Sequence, residues 1–241
     1  MFLSVFDIFK ICIGPSSSHT MGPMVAAARF LDEILNGDWP RPADATPDHL
    51  TVSLHGSLAY TGIGHASDRA IILGLAGELP DRVDPDQMDA IVENVKSTRR
   101  INPAGHDGYR FNPETDLLLD RKTPLPGHAN GMQFCAYDNM QRLLLKRHYF
   151  SIGGGFVVDE KELEDLKNGA VSKEETNVPF PFTNAGEMLS LTEKSGLSIA
   201  AMKRLNEESH DSAEVFDRKL DEIWKAMDGC INRGISQDGI M

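Results

Sequence analysis

The chain is short of cysteine, of positive charge and of long apolar runs, and each shortage closes off a class of protein. Only three cysteines, Cys12, Cys135 and Cys230, occur in 241 residues, with no paired spacing. That argues against a disulfide-framed secreted domain and for a reducing compartment. No stretch of about 18 apolar residues occurs, so nothing in the sequence reads as a membrane span. The N-terminal "MFLSVFDIFK" is apolar, but Asp7 interrupts it and no basic region leads it, unlike a signal peptide. A cytoplasmic protein that engages no membrane is the expectation. The 24 Lys and Arg against 36 Asp and Glu leave a net charge of −12. A phosphate backbone needs a clustered cationic surface, so nucleic acid is not an expected partner, and the pair Arg99-Arg100 reads as a solvated face. HExxH, CxxC, GxSxG and GxxxxGK[ST] are all missing, which removes support for zinc-protease, dithiol, esterase and P-loop chemistry.

What remains is ordinary globular composition, 41% hydrophobic and 25% charged, in a chain long enough to bury a real core. Phe2, Leu3, Phe6 and Phe9 recur at near-helical spacing. "MVAAARFLDEIL" is rich in helix formers and stops at Asn36-Gly37. "LTVSLHGS" reads as a strand, and "TGIGHASDRAIILGLAGE" as a glycine loop feeding a helix from about His65 to Leu75. A further helix is expected from Pro85 to Lys96, capped by Asp84. Met132, Phe134 and Ala136 alternate with polar neighbours, and Leu143 and Leu145 alternate on the return. With Asp138-Asn139 between them, these runs read as a hairpin whose second arm is broken by Gly153-Gly154-Gly155. Beyond about residue 168 the pattern changes. "NGAVSKEETNVPFPFTN" reads as a linker, and everything after it is helical, ending in an amphipathic stripe of Val215, Phe216, Leu220, Ile223 and Met227. The expected fold class is α/β of the α+β type, a mixed sheet with packed helices followed by an all-helical segment.

Four stretches carry candidate chemistry. "GPSSSHTMGPM" places Ser16, Ser17, Ser18, His19 and Thr20 ahead of a helix. One hydroxyl suffices to cap it; the others are either surplus or one wall of an anion site, suited to a carboxylate. In "HGSLAYTGIGHASDRA", His65 lies at a loop–helix junction with Asp68 three residues on, either an oriented imidazole or a capping pattern. "LPGHANGM" places His128 and Asn130 in a loop before a strand. "YFSIGGGF" invites a phosphate-loop reading, which three glycines alone support weakly. His55, inside a strand, reads as a packing histidine, and His106-Asp107 as part of a turn.

Together "SVFDIFKICIGPSSSHTMGPM", "GSLAYTGIGHASDRAIILGLAGE", "PLPGHANGMQFCAYD" and "YFSIGGGFVVDE" resemble the N-terminal half of the bacterial iron–sulfur-dependent L-serine dehydratases of the single-chain type. The resemblance runs in order and in register through residue 241, "VPFPF" and "CINRG" included. It implies an N-terminal β domain over 1–168, similar to the allosteric substrate-binding domain of some phosphoglycerate dehydrogenases. It further implies a linker over 169–183 and the first helices of a catalytic α domain over 184–241. It implies conversion of L-serine to pyruvate and ammonia by a [4Fe–4S] cluster, whose ligands lie outside this chain, and without pyridoxal phosphate. His19, His65 and His128 would then be catalytic, and Ser16, Ser17, Ser18, Thr20 and Asn130 substrate-binding. The partners implied are L-serine, the chain's own C-terminal α domain, and a second copy in a homodimer. Where the family carries glycine this chain has Cys12, which is not assigned as a ligand. The alternative is a serine-binding regulatory or assembly module without catalysis in the isolated chain.

Overall fold

A computed structural model describes residues 2–169 and 178–236. In chain order, α1 (Val5–Ile8) is followed by a π-helical turn (Ser17–Met21) that runs into α2 (Gly22–Asn36). Then come β1 (His49–His55), α3 (Ser57–Thr61), a 3-10 turn (Ile63–His65), α4 (Ser67–Leu75) and α5 (Met88–Thr98). The short β2 (Arg100–Ile101) and β3 (Tyr109–Arg110), α6 (Pro113–Asp116) and β4 (Leu117–Asp120) lead into the long strands. These are β5 (Gly131–Tyr137), β6 (Leu143–Gly153) and β7 (Phe156–Asp159), closed by α7 (Glu160–Lys167). The last helices are α8 (Ala185–Ser195), α9 (Ile199–Glu208) and α10 (Ala213–Ser236).

Residues 12–170 form one compact unit. Its mixed sheet runs β2-β3-β1-β5-β6-β7, with β4 also alongside β1. β1 is parallel to β3 and β4 and antiparallel to β5, while β5, β6 and β7 run antiparallel in succession. β1 alternates as its sequence predicts: Leu50, Val52 and Leu54 are buried between half-buried His49, Thr51 and Ser53. Met132, Phe134 and Ala136 of β5 face the same core. On the return arm Leu145 is buried but Leu143 is 51% exposed, because it lies at the hairpin tip beyond the reach of the helices. Phe30 of α2 meets Phe134 at 5.3 Å, and Phe134 meets Tyr149 edge-on at 5.7 Å. Aromatic pairs of this kind add about 0.5–1.5 kcal/mol beyond their area burial.

Two helix starts move from their sequence positions. The His65–Leu75 helix begins at Ser67, because Ala66 adopts a left-handed conformation (φ 53°) that breaks the helix behind His65. The second starts at Met88 rather than Pro85; the Asp84 carboxylate instead accepts from the Asp86 N–H, closing a turn. The triple glycine is not a phosphate loop. It is the β6–β7 turn, with φ of 104°, 59° and 76°, conformations that glycine alone adopts at little cost. Gly155 lies so close to the serine loop that a Cβ there would stand 2.4 Å from the Met21 sulfur.

Residues 1–11 group with the helices after residue 170 and not with the sheet unit, unlike the extent 1–168 expected for the β domain. The buried Glu207 carboxylate accepts from the Ser4 hydroxyl (2.7 Å) and the Val5 N–H (2.8 Å), while Phe6 packs edge-on against Phe216. Asn206 holds Phe180 at both its N–H and its carbonyl, 2.8 Å each. The expected linker falls largely on 170–177, outside the described residues. Leu220, Trp224, Met227, Ile231 and Ile235 leave an apolar stripe exposed along α10. No described helix is long and apolar enough to cross a membrane.

Gly155→Ala is expected to lower the thermal midpoint more than Gly153→Ala. The second is strained by its φ alone, at about 1–3 kcal/mol, while the first also collides with Met21. Equal melting losses in the two variants would contradict this packing.

Candidate functional site

The serine loop is held by its own backbone. Ser16, in extended conformation, caps the turn: its hydroxyl accepts from the His19 N–H (3.1 Å), and its carbonyl accepts from the Thr20 and Met21 N–H groups. The bond from Met21 spans five residues, so the turn is π-helical, a wide form that recurs at functional sites. Thr20 is a brace. Its hydroxyl, 1% exposed, donates to the His65 carbonyl (2.8 Å) and accepts from the Ser16 N–H (3.1 Å), which removes it from the expected substrate-binding set. Ser17 is exposed and Ser18 half-buried, and no described group bonds either hydroxyl. The loop thus presents two free hydroxyls at the start of a long helix.

Two of the three histidines meet. The His19 and His65 rings lie 4.9 Å apart, tilted by 35°. His19 Nε2 is 3.0 Å from the Ser57 hydroxyl, and the His19 carbonyl accepts from the Ser67 hydroxyl. His65 Nδ1 lies 2.9 Å from the Thr61 carbonyl, which can only accept, so Nδ1 carries the proton and Nε2 is bare in neutral His65. The orienting group is therefore the Thr61 carbonyl and not Asp68. Burial, and secondly the His65 charge, push the His19 imidazole below its ordinary value.

His128 is tied to the pair through the backbone. Its Nδ1 accepts from the Asn130 N–H (3.1 Å), which leaves the proton on Nε2 in the neutral ring. Asn130 Nδ2 donates to the Ser151 carbonyl and the Ser151 N–H returns to the Asn130 carbonyl, both at 3.1 Å, so Asn130 seats this loop on β6. One residue from His128, the Ala129 carbonyl accepts from the Ser57 N–H (2.9 Å). The contact requires Gly56, at φ 56° and ψ −131°, where a Cβ would stand 2.2 Å from that carbonyl oxygen. His55 is the packing histidine that its strand position predicts, 5% exposed and held by the Ser53 hydroxyl and the Thr123 carbonyl. Ser57, Thr61 and Ser67 carry the connections among the loops, and the sequence does not single them out; the only signal for Ser57 is its place directly after a glycine at a strand end.

The residues present do not fit an iron–sulfur cluster. Cys135 is buried in β5, where burial pushes its thiol up and away from the thiolate a cluster needs. Cys12 and Cys230 are exposed, and among the described residues no group of three or more His, Cys, Asp or Glu side chains is arranged to hold a metal.

A polar loop at a helix start, two apposed imidazoles and a third held by its own loop are thus carried on one α/β unit. The sequence model of the serine dehydratase beta chain matches residues 4–162, and the chain belongs to that family. It is 40% identical to an L-serine dehydratase of Streptomyces coelicolor, with 100% of this chain and 51% of that protein aligned. The L-serine dehydratase of Haemophilus influenzae is 39% identical, and L-serine dehydratase 1 of Escherichia coli 36%, each over 99% of this chain and 50% of the relative. The chain therefore spans about half the length of these relatives.

His19 should titrate below the ordinary histidine value of 6.5, and His65→Ala should return it part of the way, since burial remains. Because the folded value is the lower one, the unfolded chain takes up the proton first as pH falls. Stability from this group is therefore complete above about 6.5 and is lost as pH drops through the folded value. Histidine Cε1–H titration by NMR, with melts of His19→Gln between pH 5 and 8, checks both; a His19 value at or above 6.5 contradicts the burial.

Proposed function

We propose that this chain is the N-terminal, substrate-side part of an L-serine dehydratase, acting in the cytoplasm as a homodimer with its own C-terminal α domain. The observation that carries this reading is the pairing of His19 and His65 beside a serine loop with free hydroxyls, in a family whose relatives bear that name. The reaction removes the Cα proton and the β-hydroxyl of L-serine as water. The resulting aminoacrylate tautomerises to an imine, and hydrolysis of the imine gives pyruvate and ammonia.

The chain's own residues meet three of the demands. Ser17 and Ser18, at the start of α2, receive the substrate carboxylate, with Ser16 shaping the turn. His65 offers its bare Nε2 as the acceptor of the Cα proton. His128 offers an Nε2–H to a substrate oxygen, and Asn130 seats the loop that carries it. Burial disfavours the proton on His19, which lessens the positive charge beside His65. The family resemblance assigns the enzyme a [4Fe–4S] cluster in place of pyridoxal phosphate, and we put its ligands outside this chain. A second reading, a serine-binding regulatory or assembly module without catalysis in the isolated chain, draws on the apolar stripe left exposed along α10.

In an enzyme of the relatives' full length, His65→Ala and His128→Ala should each lower kcat for pyruvate formation by roughly 10²–10⁴, with visible absorbance unchanged. Near-wild-type turnover in both would refute the assignment. Calorimetry of the 241-residue chain with L-serine stands beside a pyruvate assay: heat of binding without pyruvate favours the module reading for the isolated chain, and pyruvate from this chain alone overturns the placement of the cluster ligands outside it.

A further inference from the structure

We infer that Ser57 is a positioning residue, setting the His19 imidazole and registering the three histidine-bearing loops against one another; its bearing on catalysis rests on the dehydratase reading above. Each polar group of Ser57 goes to a different segment. The hydroxyl lies 3.0 Å from His19 Nε2 in the serine loop. The N–H donates to the Ala129 carbonyl (2.9 Å), one residue from His128. The carbonyl accepts from the Thr61 hydroxyl (2.9 Å), and the Thr61 carbonyl in turn accepts from His65 Nδ1–H (2.9 Å). A path of hydrogen bonds thus joins His19 to His65 through Ser57 and Thr61, with a branch to the His128 loop.

The ordinary explanation for a serine at a helix start does not apply. The cap position of α3 is Gly56, and no side chain caps the helix. A serine one position later contributes nothing to the cap that an alanine would not, so the Ser57 hydroxyl has one evident task, holding His19. The two backbone bonds do not depend on the side chain. They belong to the unusual Gly56 conformation and survive truncation of Ser57. The hydroxyl is therefore the separable part of the device. Without it the His19 ring is free to turn about its Cβ–Cγ bond, and the 4.9 Å apposition to His65 loses its support from that side.

The test reads the imidazoles directly. The neutral tautomers of His19 and His65 are measured by long-range ¹H–¹⁵N NMR in the 241-residue chain, at a pH above the titration of both rings. His19 is assigned by its loss in His19→Gln. Ser57→Ala is expected to shift the His19 Nε2 resonance, which loses its hydrogen-bond partner, while His65 stays protonated at Nδ1. Ser57→Thr, which keeps the hydroxyl, restores the wild-type pattern. In the full-length enzyme, Ser57→Ala lowers kcat about tenfold with KM little changed, and Ser57→Thr recovers most of the loss. Unchanged His19 signals in Ser57→Ala, or a threonine variant no better than alanine, overturn the inference whatever the turnover. A clear His19 shift with unaltered turnover upholds the positioning of His19 and counts against a part for that ring in the reaction, whereas no pyruvate from the wild-type full-length protein counts against the dehydratase reading itself.

Discussion

The site depends on one close approach, the seating of the Gly56-Ser57 backbone on the Ala129 carbonyl. β1 and β5 are antiparallel neighbours, paired from His49–Tyr137 to Leu54–Met132. Two positions past the last pair lie Gly56 and Asn130, so the chain leaving β1 and the chain entering β5 meet at the same end of the sheet. There the Ser57 N–H donates to the Ala129 carbonyl in the same register, one last ladder bond beyond the ends of the two strands, before the chain turns into α3. Only glycine tolerates both the backbone angles and the 2.2 Å clearance at position 56. If that approach failed, α3 would leave β1 in another direction, carrying Ser57, Thr61 and His65 with it.

The rest of the site is built up around this end of the sheet. β6 reaches it through Ser151, which exchanges hydrogen bonds with Asn130, and the glycine turn that follows packs under Met21. α2 lies against β5 and β6 through Met24 and Phe30, so burying that face brings its N-terminal turn to the same place. Arg121, just past β4, donates to the Ala59 carbonyl at the far side of α3. Little of this framework is polar at its base. The hydrophobic contact of helix on sheet positions the loops, and a small number of hydrogen bonds then orient the side chains. Burial at the junction also bears on the electrostatics: it disfavours the His19 proton, and so lessens repulsion between the two tilted imidazoles.

Much of this was legible before folding was considered. Period-two alternation in "HLTVSL" and "GMQFCAY" marks two central strands, because a half-buried sheet face demands it. The stop at Gly37 and the hairpin at Asp138 follow from local turn chemistry. His19, His65 and His128 stand out as polar residues at loop–element junctions. The misreadings have physical causes. A left-handed Ala66 has no composition signature, so the helix appeared to begin two residues early. The three glycines do break the hairpin's second arm as read, but nothing in them announces that the turn packs on Met21. Thr20 looked like its serine neighbours, yet burial directs its hydroxyl inward.

The sequence by itself therefore determined the alternation of strands, the helix stops, the family and the short list of polar residues, because these depend on periodicity and local turn preferences along the chain. Which histidines face each other and which hydroxyl is a brace were decided only by the tertiary structure. Those properties arise where segments separated by 38 to 48 residues touch, as His19 does with Ser57 and Ser67. Periodicity carries no information about a hydrogen bond between loops.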